Sequence, residues 1–330
     1  MESPVTEYES IRKDVVREAK IIMENNMTIN RHDETYKTLL RKILAEGEER
    51  KDRTGVGTIS IFGTQLQFDI SDTFPALTTK RIAWKAVVSE LLWFLEGCDD
   101  DRRLAVILNE AAELEDKANL EIIYSDSAKY PTIWTANAEA PYWKEKALYN
   151  GHVGAIYGVQ WRFWNNDING PDQVQNVIDG IQKDPYGRRH IISAWNPAQL
   201  DKMCLPPCHV LCQFYVTNSG RLDCHMYQRS VDTFLGLPFN IASYSLLVYL
   251  IAQCTDLKPG KLTMSLGDTH IYSNHIEQVF EQLSRAPKEE PRLVIDNPSK
   301  ELPPYHNFKV KDFVLENYNP HPTIKAPMAV

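Results

Sequence analysis

Leu205-Pro206-Pro207-Cys208-His209 is the stretch of this chain best suited to chemistry, because two prolines fix the backbone just ahead of a cysteine that opens a strand pattern. A thiol held that rigidly suits nucleophilic addition, although an isolated cysteine serves equally well as a small buried hydrophobe. Arginines supply what a reactive thiol and an anionic ligand both need: Arg53, the pair Arg188-Arg189, and Arg229 next to Ser230. Guanidinium groups lower a thiol pKa and grip phosphate with two parallel hydrogen bonds. Glu90 is a conspicuous charge in the apolar run Ala83 to Leu95, where burial would push its pKa upward and make it a candidate proton shuttle or a satisfied interior carboxylate. Asn240 opens an apolar helix, where an amide either caps the helix or reads a ligand edge. His270 and Tyr272 share one face if their segment is extended, two polar tips that could hold a sugar hydroxyl. Cys204 and Cys208 lack a second pair at metal-ligand spacing, so no metal is expected.

These residues need elements to position them. Helical spacing predicts helices over Tyr8 to Asn25, Asp33 to Ala45, Ala83 to Leu95, Asp172 to Lys183, Phe239 to Gln253 and Ser273 to Leu283. Alternation predicts two strands between Gly55 and Ile70 with a turn near Gly63, and strands at His190 to Trp195, Cys208 to Val216, Arg221 to Gln228, Lys261 to Leu266 and Arg292 to Ile295. The helix Phe239 to Gln253 is apolar nearly all round and should be the central buried one. Asp99 to Lys129, acidic and alanine-rich, with a helix over about 101 to 115, reads as a solvent-facing insertion. Helices and strands do not alternate regularly, which makes the fold α+β around a mostly buried sheet.

The whole chain of 330 residues, 43% hydrophobic, can bury a large core without disulfide staples. Its net charge of −8 argues against general affinity for nucleic-acid backbone and leaves small anions open. The start Met1-Glu2-Ser3-Pro4 carries no secretory pattern, no uninterrupted apolar run approaches the length of a bilayer span, and the six cysteines do not form a secreted framework, so a cytoplasmic location is expected.

Taken together, the segments resemble the thymidylate synthase family. The resemblance rests on Asp52-Arg53-Thr54-Gly55, Thr78-Thr79-Lys80-Arg81, Glu90 to Leu95, Tyr157-Gly158 with Gln160-Trp161-Arg162, Arg188-Arg189, Ser193 to Asn196, Leu205 to His209, Tyr227 to Asp232, Phe234 to Tyr244, Asp268 to Tyr272 and Ile324 to Val330. It implies a large mixed sheet packed with helices, a homodimer formed through that sheet, and a single catalytic domain over 33–330 with an insert at about 99–130, preceded by a helical extension over 1–32. It implies transfer of a one-carbon unit from the co-substrate 5,10-methylenetetrahydrofolate to C5 of deoxyuridylate (dUMP), giving thymidylate and dihydrofolate, with neither membrane nor nucleic acid required.

By that resemblance Cys208 is the nucleophile that adds to C6 of the uracil. Arg53, Arg229 and Ser230 bind the 5′-phosphate, joined by Arg188 and Arg189 reaching in from the partner subunit. Asn240 reads the uracil edge, His209, Gln228 and Asp232 line the nucleotide, and His270 and Tyr272 contact the 3′-hydroxyl. Glu90, with Tyr157, organises protons at the ring. Lys80, Trp134, Asp232, Gly236, Leu237 and Val330 hold or cover the folate. Two stretches depart from the family pattern: Thr135 follows Trp134 where an aspartate is usual, and Gly151-His152-Val153-Gly154-Ala155 precedes Tyr157. Both fall at the expected folate wall beside the insert. They keep open a sister activity, a deoxyuridylate hydroxymethylase, in which water rather than hydride captures the exocyclic methylene.

Overall fold

Asn30 caps the first described helix: its side-chain oxygen accepts the Asp33 N–H at 2.9 Å, and α1 (Arg31–Glu46) follows. The computed structural model describes residues 30–52, 55–109, 130–303, 305–306 and 308–328. The expected helix Tyr8 to Asn25, Arg53, residues 110–129 of the insert and Val330 lie outside these. Asp33 ties α1 to the segment leading to Lys80, its carboxylate accepting the N–H and hydroxyl of both Thr78 and Thr79.

In chain order the elements continue as β1 (Glu48–Arg50), β2 (Thr58–Asp69), α2 (Trp84–Glu96), α3 (Asp101–Leu108), the short α4 (Thr135–Ala138) and α5 (Pro141–Lys144), α6 (Tyr157–Arg162) and α7 (Gln173–Lys183). There follow β3 (Ile191–Ser193), β4 (His209–Val216), β5 (Arg221–Asp232), α8 (Gly236–Cys254), β6 (Lys258–Tyr272), α9 (Ile276–Ser284), β7 (Arg292–Ile295) and β8 (Phe313–Glu316). Six strands form one mixed sheet in the order β1-β2-β6-β5-β4-β3, with β5 and β6 parallel and the other pairs antiparallel. Strands β7 and β8 pair separately. This is the expected α+β class.

Helix α8 makes the parallel crossover from β5 to β6 and buries fourteen of its nineteen residues. By length and hydropathy it could cross a membrane, but it is the core helix here, mostly buried beneath the sheet. Each large apolar side chain it buries stabilises the fold by about 1.5–3 kcal/mol.

Three expectations need correction. Gly63 does not turn the chain: β2 runs unbroken, and Gly63 takes φ 75° as a kink facing Gly267, with pairing to β6 in constant register on either side. Gly267 has its own reason to lack a side chain, since a Cβ there would stand 2.6 Å from the Arg229 carbonyl. Nor is the sheet buried on both faces within one chain. Along β4, Leu211, Gln213 and Tyr215 face outward between buried Cys212, Phe214 and Val216, and Phe62 on β2 is 79% exposed. The insert's opening helix is also less solvent-facing than its composition suggests: Asp101, Leu104, Ala105 and Val106 of α3 are buried.

Candidate active site

Cys208 sits at the end of the Pro206-Pro207 segment, one residue before β4, where Val210 bulges out of the β4–β5 ladder. Its backbone is held from two sides, the N–H donating to the Tyr157 hydroxyl at 2.7 Å and the carbonyl accepting from the Arg229 N–H at 2.9 Å. The Arg229 side chain, entering from β5, donates to the carbonyls of Pro207 and Pro206 at 2.8 Å each. That places Nη2 4.0 Å from Cys208 Sγ, with the guanidinium over the Trp195 ring at 5.4 Å. A fixed cation against the sulfur favours a thiolate nucleophile.

The carboxylate end of the cluster comes from α2. Glu90 accepts the Trp134 indole N–H at 2.7 Å. Burial raises its pKa to about 7 against the lowering effect of that N–H, leaving it able to take or give a proton near neutrality. Trp134 is boxed by Trp93, Phe94 and Tyr157, with ring centroids 5.9, 6.2 and 6.1 Å away. Tyr157 links the two ends. Burial, then the neighbouring charges of Cys208 and Glu90, hold its phenol well above its ordinary range, so it stays protonated.

His209 lies on the interior side, between the rings of Tyr157 and Tyr244 at 5.0 and 5.3 Å. Burial lowers its pKa to about 4, partly offset by the Asn240 side chain, so the ring is neutral and serves position rather than charge. Asn240 Oδ1 accepts from Gln228 Nε2 at 2.9 Å. Asn240 is therefore fixed by a side chain from β5, while Gln228 Oε1 is buried with no partner among the described residues.

Beyond Arg229 the parallel register places Ser230 beside Asp268 and Asp232 beside His270. His270 and Tyr272 share a face as expected, their rings edge to face at 5.1 Å. Asp268 accepts from His270 Nδ1 at 3.0 Å and from Arg50 at 2.8 Å. Asp232 ends β5, and its Oδ1 accepts the N–H groups of Phe234 and Leu235 at 3.0 Å each, bending the chain into α8. Gly236 and Leu237 form the first turn of α8, with Leu237 fully buried. Lys80 is buried: its Nζ donates to the Phe234 carbonyl and lies 3.5 Å over the Phe234 ring. Burial lowers its pKa to about 7, with Asp232 opposing and Arg285 assisting.

Arg188 and Arg189 are not part of this cluster. They are exposed in the turn before β3, and since Ile191 pairs with Gln213 they lie toward the end of β4 remote from Cys208. Arg53 and Val330 are outside the described residues.

Sequence reasoning passed over His275. It is fully buried, donates through Nε2 to the Pro327 carbonyl at 2.7 Å, and turns Nδ1 toward Asp232 at 3.9 Å. The C-terminal tail is thereby seated on the residue that backs Asp232. Trp195 under Arg229 and Asp101 behind Trp134 were also missed. An aromatic or a carboxylate at an unremarkable position carries no local signal.

The two departures are internally satisfied. Thr135 donates to Asp101 at 2.6 Å. His152 is buried, 3.4 Å from Asp99 and stacked on Trp143. Of the residues expected at a folate, Asp232 offers a carboxylate able to accept ring N–H groups and Trp134 an aromatic ring, while Leu237 and Lys80 are buried. Residues 34–330 match a family model described as thymidylate synthase.

Proposed function

The chain belongs to the thymidylate synthase family, whose members carry out folate-dependent one-carbon transfer to dUMP, and from that premise we propose that it makes thymidylate by way of a covalent Cys208–C6 adduct. The observation that carries this reading is the Cys208 thiol poised 4.0 Å from Arg229 on a backbone locked by Tyr157. Addition of the thiolate to C6 pushes the ring electrons toward C5 and O4, turning an unreactive carbon into a nucleophile. Methylenetetrahydrofolate, when bound, supplies the one-carbon unit and the hydride.

The chain's own groups do the rest. Arg229 and Ser230, with Arg53, bind the phosphate, and Arg229 also keeps the thiolate charged. Asn240, fixed by Gln228, reads the uracil edge, and a cytosine presenting the reverse pattern would leave buried amides mispaired. Asp268 holds the His270 proton on Nδ1, leaving Nε2 to accept from a 3′-hydroxyl. Glu90 moves a proton at the ring, helped by a pKa near neutrality. Expulsion of the Cys208 thiolate ends the cycle.

Thymidylate rather than its hydroxymethyl counterpart is favoured because the residues that raised the alternative are engaged elsewhere, Thr135 on Asp101 and His152 on Asp99. A homodimer through the sheet is supported by its exposed apolar face and by Arg188 and Arg189 standing exposed beside it, available to a partner's phosphate site. The test is peptide mass analysis of enzyme quenched during turnover. The nucleotide should ride on the peptide containing Cys208; turnover with the label on another residue would overturn the assignment.

A further inference from the structure

A run of hydrogen bonds leads from the reacting cluster into the inserted segment. Asp101, the first residue of α3, is 2% exposed and receives two hydroxyls, Thr132 on Oδ1 and Thr135 on Oδ2 at 2.6 Å. With both hydroxyl hydrogens committed to one carboxylate, the two oxygens turn lone pairs to their own loop. Thr135 Oγ1 accepts the Thr132 N–H at 2.8 Å, and Thr132 Oγ1 accepts the Trp134 N–H at 3.0 Å. The indole carried on that backbone is the one that donates to Glu90 at 2.7 Å. Asp101 is itself anchored, its N–H donating to the Gly151 carbonyl at 2.8 Å, while the Asp99 carbonyl accepts the Val153 N–H at 2.9 Å. Both stretches that depart from the family pattern, Thr135 and Gly151 to Ala155, therefore meet at the start of the insert.

We propose that Asp101 is a positioning residue for Glu90, setting the Trp134 loop through Thr132 and Thr135 so that the indole N–H stays on the carboxylate. The inserted segment then contributes to the reaction from behind the wall. This rests on the reading of Glu90 as the proton-handling group. The physical reason is direction: a carboxylate can only accept, so it orients both hydroxyls at once, whereas an amide in its place would donate to one and leave that hydroxyl to rotate. The charged neighbours of Asp101 are Asp100 and Glu139. Tyr157 faces Glu90 from α6.

The test is the pH profile of kcat, taken on the full chain with dUMP and methylenetetrahydrofolate. Asp101→Asn should move the Glu90 limb upward, by about one pH unit if the charge-assisted bond from Trp134 is lost entirely, and leave KM for dUMP unchanged. Trp134→Phe should give the same shift, and the double variant no more than either alone. Thr135→Val, which removes one of the two hydroxyls, should shift the limb the same way by less. Asp100→Ala removes the N-cap of α3, whose side chain accepts from Arg102, without touching either threonine, and should leave the profile in place. A limb that moves in Trp134→Phe but not in Asp101→Asn, or moves equally in Asp100→Ala, would overturn the positioning role while Glu90 keeps its own. Unmoved profiles in all of these, with turnover retained by Glu90→Gln, would instead remove Glu90 from the chemistry.

Discussion

The two walls of the site are built on different principles. The proposed nucleotide side is carried by regular strands: Cys208 at the head of β4, Gln228 to Asp232 along β5, His270 and Tyr272 on β6, tied by ladder pairing in fixed register. The opposite wall is carried by irregular chain around 99–101, 130–135 and 149–155, held by side-chain bonds such as Thr135 to Asp101, Trp143 to His152 and Tyr149 to Asp99. Rigid strands suit the grip on a phosphate and the aim of a nucleophile, where small displacements are costly. Loops braced by polar contacts tolerate exchange of one bracing group for another, which is how Thr135 with Asp101 can stand where an aspartate is usual.

Substitutions on the strand side should therefore cost most. Cys208→Ala should lower turnover by about 10⁴-fold or more while nucleotide binding, followed by calorimetry, survives. Glu90→Gln, at the junction of the two walls, should cost about 10²–10⁴-fold in kcat. It should also stabilise the protein at alkaline pH. The folded-state pKa near 7 lies above the ordinary glutamate value of 4.5, so the neutral carboxyl is the form the site accommodates, and the stability it contributes is fully present below about pH 4.5 and lost as pH rises through 7. Removing the charge should return roughly 3 kcal/mol at pH 9, read as a higher denaturant midpoint. Arg229→Ala should raise KM for dUMP about 10- to 100-fold, the worth of one to two hydrogen bonds to a charged group, and should also lower kcat because Pro206, Pro207 and Cys208 lose their anchor.

Smallest in a single chain, and most informative about assembly, is Arg188→Ala with Arg189→Ala. Their exposure means stability should change by less than about 0.5 kcal/mol, yet activity should fall. Mixing this double variant with Cys208→Ala should restore part of the activity if each arginine pair serves the other subunit. No recovery after verified subunit exchange would tie the arginines to their own chain.

The same contrast explains what could be read from sequence. Strand and helix signals placed β4, β5, α2, α7, α8 and β7 within a few residues, because alternation and apolar periodicity are local properties. Gly63 misled because glycine at positive φ is as compatible with a kink opposite Gly267 as with a hairpin turn. The apolar helix around Glu90 was legible from composition, and its raised pKa followed from burial alone. The brace from Asp101 was not legible, because it depends on a contact spanning 31 residues across the insert, and nothing in an acidic, alanine-rich segment distinguishes Asp101 from Asp99 or Asp100. The burial of Lys80 against Phe234 was not legible either, being a tertiary result of the Asp33–Thr78–Thr79 contacts that fix its segment.

The most direct measurement is mass analysis of the nucleotide formed from dUMP and methylenetetrahydrofolate, with dihydrofolate absorbance followed in the same reaction. Thymidylate and dihydrofolate in equal amounts are the expected result. Hydroxymethyl-deoxyuridylate with the folate released unoxidised would contradict it and mean that the braced wall admits water to the intermediate.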